Sequence, residues 1–311
     1  MDATWKICPL DFDIRLKKSG VFQPFKGVTL RGAFGVEFKK VVCAAKLSSC
    51  AECRLRSTCA FTYVFDTPAA ESDDPALRSH NTHAPHPFAV QAPDDARTFV
   101  PEGTLWRFRF VLIGESQNLL PYFVHTFLRL AEAGLGRDRV PFCLERVEAD
   151  LPAGRWKVYE SDYPALRYPP SSKPWPQTEN ADRVTIDFQT LTRLKADGRI
   201  QKNLTFPLLA RTALRRVSAL YALYGGGEKN CDYKQLLDSA VGIQLEKSDI
   251  RPESVDRFST RTRQRIRFDG FTGRAVFRGD LSAWLPLLRA AEDVNLGKGA
   301  TFGFGQIKLT I

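Results

Sequence analysis

Val184-Thr-Ile-Asp-Phe-Gln-Thr-Leu191 alternates apolar and polar residues as a half-buried strand does, and the order of the elements after it decides the fold. A helical run follows over Phe206–Tyr224, with Thr205 placed to cap it and Pro207 in the first turn, where a missing N–H loses no hydrogen bond. Gly225-Gly-Gly227 stops that run. A short helix is predicted near Tyr233–Val241, then a strand pair at Thr262–Phe268 and Gly273–Phe277. A helix over Leu281–Glu292 capped by Asp280 and a terminal strand at Phe304–Thr310 complete the series. Strand, helix, strand, strand, helix, strand is the order of an antiparallel sheet with its helices on one face, the ferredoxin-like arrangement.

The first half repeats that order. Thr4–Lys17 reads as a strand ending at Ser19-Gly20, and Val28–Val42 as a helix with Leu30, Phe34, Phe38 and Val41 or Val42 on one buried stripe. Gly32 and Gly35 weaken that helix by about 1 kcal/mol each, which implies close packing or close ligand approach beside them. A His- and Pro-containing loop over 66–103 carries one short strand at Phe88–Gln91. Strands at Trp106–Ile113 and Phe142–Val147 flank a helix over Leu119–Ala133 that Gly134 closes. Six prolines between Leu151 and Asp182 mark an extended connection. The expected class is therefore α+β: two tandem ferredoxin-like domains at 1–150 and 183–311, joined by 151–182, with a cysteine-containing insertion at 43–59 in the first.

The bulk properties agree with two folded domains. The chain has 311 residues, of which 43% are hydrophobic and 22 are Phe, enough for ordinary cores. A net charge of +10 and a pI near 9.3 favour a polyanionic partner, because each Lys or Arg set against a phosphate releases condensed counterions. No apolar run approaches the ~18–20 residues that span a bilayer, and the start lacks a leader, so the expectation is a cytoplasmic protein with no membrane partner. In that compartment the seven cysteines are reduced thiols.

Four groups of residues carry the candidate chemistry. In the tail Asn295-Leu-Gly-Lys-Gly-Ala-Thr-Phe-Gly-Phe-Gly-Gln306, glycines let backbone N–H groups approach a phosphate. Gly297, Lys298, Gly299, Thr301, Phe302 and Gly303 are the expected contacts to a polyanion there, although a tight helix-to-strand connection reads the same way. No Walker pattern occurs, and the glycines precede a strand where a dinucleotide fingerprint needs them after one. From Arg257 to Arg278 seven arginines face a single acid, Asp269. Alternation sets Arg263, Arg265 and Arg267 on one strand face, and Arg257 and Arg261 extend the basic run. Arg211, Arg215 and Arg216 form a second basic patch on the long helix, and Arg31, Lys39 and Lys40 lie off the buried stripe of the first.

Cys43, Cys50, Cys53 and Cys59 have the spacing C-x6-C-x2-C-x5-C, and the x2 pair lets two thiolates grip one ion. A closed structural zinc site is expected, with an iron–sulfur cluster as its alternative and four reduced cysteines packed in a turn-rich insertion as the metal-free reading. His80, His83 and His86 recur every third residue of the Pro-containing loop, while His125 reads as a solvated helix residue beside Arg129. His83 and His86 are the catalytic candidates, since an imidazole titrates near neutral pH.

Taken together, these segments resemble the CRISPR-associated repeat-processing endoribonucleases of the RAMP superfamily, in the branch with a cysteine-bearing N-terminal half. The resemblance spans nearly the whole chain. It rests on Leu30-Arg-Gly-Ala-Phe-Gly35 leading to the cysteines, Leu194-Lys-Ala-Asp-Gly-Arg199, Arg215-Arg216, Arg257-Phe-Ser-Thr-Arg261, Gly279-Asp-Leu281 and Gly297-Lys-Gly-Ala-Thr-Phe-Gly-Phe-Gly305. It implies a CRISPR repeat RNA as substrate, held by the glycine-rich loop and basic surfaces. Cleavage would proceed without metal or small-molecule cofactor, by attack of the ribose 2′-OH on the adjacent phosphate. Further CRISPR effector subunits are the second class of partner implied. Many relatives carry a catalytic histidine on or near the first helix, whereas this chain has none before His80. Two sources of catalysis stay open: Arg31 with Lys39 or Lys40 as electrostatic stabilisers, or the His83/His86 loop over the scissile phosphate. A non-catalytic RNA-binding subunit is the competing function; a DNA-binding or metal-sensing regulator is disfavoured by the lack of a helix-turn-helix pattern.

Overall fold

The computed structural model describes residues 5–46, 49–66, 84–170, 172–177, 179–196, 198–201, 203–225, 233–259 and 264–311. His80, His83, Arg261 and Arg263 lie outside the described residues. The chain divides into two compact units, one over Trp5–Pro174 and one over Trp175–Ala222 and Gly227–Ile311. No described helix is long and apolar enough to cross a membrane.

In the N-terminal unit the elements run β1 (Ile7–Leu16), β2 (Gly20–Val21), α1 (Lys26–Val42), α2 (Ala60–Phe65), β3 (Phe88–Gln91), β4 (Phe99–Val100), β5 (Leu105–Ile113), α3 (Leu120–Ala133), β6 (Phe142–Leu151) and β7 (Gly154–Glu160). Its main sheet has the antiparallel order β3-β5-β1-β6-β7. Omitting edge strand β7, the spatial order of the four ferredoxin strands is second, third, first, fourth. Phe12, Phe108 and Phe110 of the sheet meet Phe34 and Phe38 of α1 and Phe123 and Phe127 of α3 in one aromatic core. Leu30, Phe34 and Phe38 are fully buried, as the stripe predicts. A Cβ at Gly35 would stand 3.3 Å from the Phe65 ring, so this glycine admits α2 against α1; a Cβ at Gly32 meets nothing within 4 Å.

The C-terminal unit repeats the plan with β8 (Arg183–Thr192), the small hairpin β9 (Lys195–Ala196) and β10 (Arg199–Ile200), α4 (Phe206–Tyr224), α5 (Tyr233–Ser239), β11 (Gln244–Ser259), β12 (Gln264–Arg278), α6 (Leu285–Val294) and β13 (Ile307–Thr310). Its sheet order β11-β12-β8-β13 is again second, third, first, fourth. Phe206, Phe277 and Trp284 contact one another in its core. The expected tandem ferredoxin-like architecture is the one observed.

The structure departs from expectation at three places. Gly154–Glu160, expected within the connection, is edge strand β7, paired through Ala149↔Trp156 and Leu151↔Gly154. The two short strands expected at 262–277 are one strand, β12, whose partner is the 16-residue β11. β11 escapes sequence reading because it is rich in charge and contains Pro252, which an edge strand tolerates on its outer side. Finally, Asp280 does not cap a helix: its Oδ1 accepts from the Ser282 N–H in a turn, and α6 begins at Leu285 behind Trp284.

Candidate nucleic-acid interface

The glycine-rich tail is a closed clasp between α6 and β13. Gly297, Gly299, Gly303 and Gly305 all have φ between 72° and 87°, a left-handed region that side chains disfavour. A Cβ at Gly297 would fall 2.6 Å from the Arg193 carbonyl oxygen, and one at Gly305 would overlap the Leu296 carbonyl oxygen. The N–H groups of Leu296, Lys298, Phe302, Gly303, Phe304 and Gly305 donate to Gly305, Arg193, Gly299, Ala300, Gly299 and Leu191 carbonyls respectively. The expected open cradle of amides is therefore largely consumed in holding the loop's own shape. What the loop presents outward is side chains, above all exposed Lys298 and half-buried Phe302.

Those side chains stand in a crowd of cations. The Lys298 ammonium is held below the usual lysine range, first by desolvation and then by the charges of Arg215, Lys195, Arg216 and Arg193. Burial likewise lowers Arg215, and burial lowers Arg193 against the opposing charge of Asp269. Among the described residues, no carboxylate lies within ion-pair distance of Lys195, Arg215 or Lys298. Arg193 and Lys195 were not among the sequence candidates, although their i,i+2 spacing just beyond β8 is the signal that places both by the loop.

Arg216 is employed differently from its neighbours. Its Nε donates to the Val294 and Asn295 carbonyl oxygens at 3.0 and 2.7 Å, and its Nη2 to Val294 at 2.6 Å. These are the orphan carbonyls at the C-terminus of α6, where the helix dipole also favours a cation. Burial brings its pKa down to about 10, still charged at neutral pH. Arg216, expected to bind RNA, thus anchors the start of the loop.

Arg211 is exposed on α4. On the β11–β12 ribbon, Arg265 and Arg267 are exposed on the same side as expected, with Ile266 and Phe268 half-buried between them. Arg267 donates to Asp269 Oδ1 and Ser254 Oγ, both at 2.9 Å. Arg257 lies 4.7 Å over the Phe302 ring and so links the ribbon to the loop. A cleft of about 560 Å³ opens along this sheet, lined by Lys247, Arg251, Arg274 and Arg183 with Asp187 and Asp249 interspersed among them.

In the N-terminal unit, Arg31 and His86 gather around one ring. The Arg31 guanidinium lies 4.9 Å over Phe65, and the His86 ring is 6.4 Å from Phe65 and stacked at 6.2 Å on Phe88. Lys39 caps the ring of Phe61 at 5.6 Å, and Lys40 pairs with buried Glu37 at 2.8 Å. Arg129 reaches the same Glu37 at 3.3 Å, while His125 is exposed.

Cys43, Cys50, Cys53 and Cys59 line one small cleft of about 20 Å³ together with Lys39, Ser49 and Phe61. Yet no three His, Cys, Asp or Glu side chains are gathered for a metal ion among the described residues. Cys43 closes α1 through its N–H to the Lys39 carbonyl, and the Cys59 carbonyl starts α2 by accepting from Tyr63. The donor chemistry matches zinc, but the positions do not converge as four ligands of one ion must. Neither the expected zinc nor its iron–sulfur alternative is supported.

No curated protein sequence matches the chain. Residues 5–171 match AF_1859_N, described as an N-terminal domain, and residues 186–307 match the family of the CRISPR-associated endoribonuclease Cas6. Among solved structures the chain is similar to a Cas6 product complex at 14% identity and TM-score 0.58, over 98% of this chain and 100% of that one. It is similar to Thermus thermophilus Cas6 at 14% identity and TM-score 0.55, over 99% and 100%. A partial Cas6-RT-Cas1–Cas2 complex matches at 14% identity and TM-score 0.56, over 98% of this chain and 46% of that one. At such identities the likeness bears on the fold alone.

Proposed function

We propose that this chain, whose residues 186–307 match the family of the CRISPR-associated endoribonuclease Cas6, binds CRISPR repeat RNA and cleaves it to mature guide RNA without a metal. The observation that carries the reading is the cation cluster of Arg193, Lys195, Arg215 and Lys298 around a loop that glycine conformations lock in place. Like charges held together, with Asp269 opposing only Arg193 among them, raise the energy of the empty protein, and a phosphate backbone relieves it.

In-line attack of the 2′-OH on its own phosphate breaks the bond to the 5′-oxygen, leaving a 2′,3′-cyclic phosphate and a 5′-hydroxyl. The 2′-OH proton needs an acceptor, the leaving oxygen a donor, and the non-bridging oxygens a positive partner. His86, the described histidine beside Arg31, is the candidate to accept and return a proton, and Arg31, beside the same Phe65 ring, is the electrostatic candidate. His83 remains its alternative on sequence grounds. The protein partners proposed are other CRISPR subunits.

Incubation of the protein with its repeat RNA in EDTA tests this reading. The expected result is one cut with 5′-hydroxyl and 2′,3′-cyclic phosphate ends, slowed at least about tenfold by His86→Ala or Arg31→Ala. One observation favours a second reading: α1 contains no histidine. Intact RNA despite tight binding would establish that reading, an RNA-binding subunit without nuclease activity.

A further inference from the structure

Between the glycine-rich loop and the β11–β12 ribbon lies a group that phosphate binding does not require. Phe302 and Phe268, both half-buried, have ring centroids 5.9 Å apart. Fully buried Phe304 supports both, edge-on to Phe268 at 5.3 Å and tilted to Phe302 at 6.1 Å. Each outer ring carries a guanidinium: Arg257 at 4.7 Å over Phe302 and Arg193 at 4.9 Å over Phe268. Arg193 is fixed there by its Nε hydrogen bond to the Asp269 carbonyl oxygen at 2.9 Å. The loop geometry serves this group, because a Cβ at Gly299 would sit 2.5 Å from the Phe304 ring.

We propose that this layered pair, Phe302 with Arg257 and Phe268 with Arg193, is a stacking platform for an unpaired nucleobase of the bound RNA. Aromatic rings and guanidinium planes are the two side-chain surfaces on which unpaired bases stack, and here they come already layered. The arrangement reads no hydrogen-bonding edge, so it selects unpaired nucleotides over paired ones and tolerates any base. Lys195 and Lys298 nearby hold the backbone of the same strand, so stacking contributes an affinity component separate from counterion release. This inference rests on the RNA-binding reading above.

The test uses the full chain and repeat RNA carrying 2-aminopurine at one single-stranded position at a time. Wild type is expected to quench the fluorescence at one or two positions on binding. Phe302→Leu is expected to abolish that quenching and weaken binding by about five- to one-hundred-fold, with an unchanged slope of log Kd against log salt. Phe302→Tyr restores both. Arg257→Lys keeps the charge and every loop residue, removes the plane, and is expected to lose the quenching too. RNA bound with wild-type affinity and quenching by both Phe302→Leu and Arg257→Lys overturns the platform and leaves the RNA-binding reading standing. A wild-type chain that binds no repeat RNA overturns both.

Discussion

On the helix-free face of the N-terminal sheet, Arg107 and Arg109 of β5 meet Asp13 and Asp11 of β1 at 2.7 and 2.6 Å, whereas beside the C-terminal loop Lys195, Arg215 and Lys298 have other cations for neighbours. Arg146 and Arg155 complete the first lattice, 2.7 Å from Asp13 and 2.7 Å from Asp11 respectively. Strand register makes it so: Asp11 stands opposite Arg109, and Asp13 opposite both Arg107 and Arg146. The two aspartates are 7% and 4% exposed, covered by the arginines that neutralise them. Both are held below the usual carboxylate range. Hydrogen bonding to Arg107 leads at Asp13, while at Asp11 Arg109 and Arg155 outweigh a large desolvation cost. Lys298 is also shifted down, but for a base that means its charged form is disfavoured. One basic surface is thus satisfied within the fold, and the other is the one we propose a polyanion neutralises.

Substitutions can separate the two. The largest effect is expected for Lys298→Ala with Arg215→Ala, which should weaken repeat-RNA binding roughly a hundredfold and reduce the salt slope by about 1.5, measured by filter binding. Next comes Asp13→Ala, which strands two arginines and should destabilise the N-terminal unit by about 1–3 kcal/mol in thermal melts, a value discounted because those arginines are half exposed. Arg216→Lys removes the fork that holds the end of α6 and should cost the C-terminal unit about 1–2 kcal/mol. The smallest effect is expected from acid. Because the folded-state pKa values of Asp11 and Asp13 are lowered, their stabilisation is present above the unfolded value and is lost as pH falls below about 4. Acid titration of Asp13→Asn should show less of that loss than wild type.

The fold was legible because apolar residues carry the periods. Leu30, Phe34 and Phe38 marked α1, and Val184, Ile186 and Phe188 marked β8, all residues now in the cores. β11 was not legible, since an edge strand of Glu, Lys, Asp, Arg and Pro has no buried face to alternate with a polar one. The site was readable by type but not by use. Seven arginines over 257–278 raised the expectation of an anion partner, yet nothing in Arg215-Arg216 says that the second of the pair would cap α6. Cysteine spacing overstated the case for a metal, because it fixes loop lengths but not the convergence of four donors. Arg193 and Phe268 meet only through tertiary pairing, which a linear reading does not reveal.

The most direct test compares salt dependence of repeat-RNA binding for wild type, Lys298→Ala/Arg215→Ala and Arg107→Ala/Arg146→Ala. The expected result is a shallower slope and weaker binding for the C-terminal pair alone, with the N-terminal pair changing stability and leaving the slope at its wild-type value. An equal loss of slope in both variants, or in neither, would contradict the assignment of RNA binding to the unpaired cations around the glycine-rich loop.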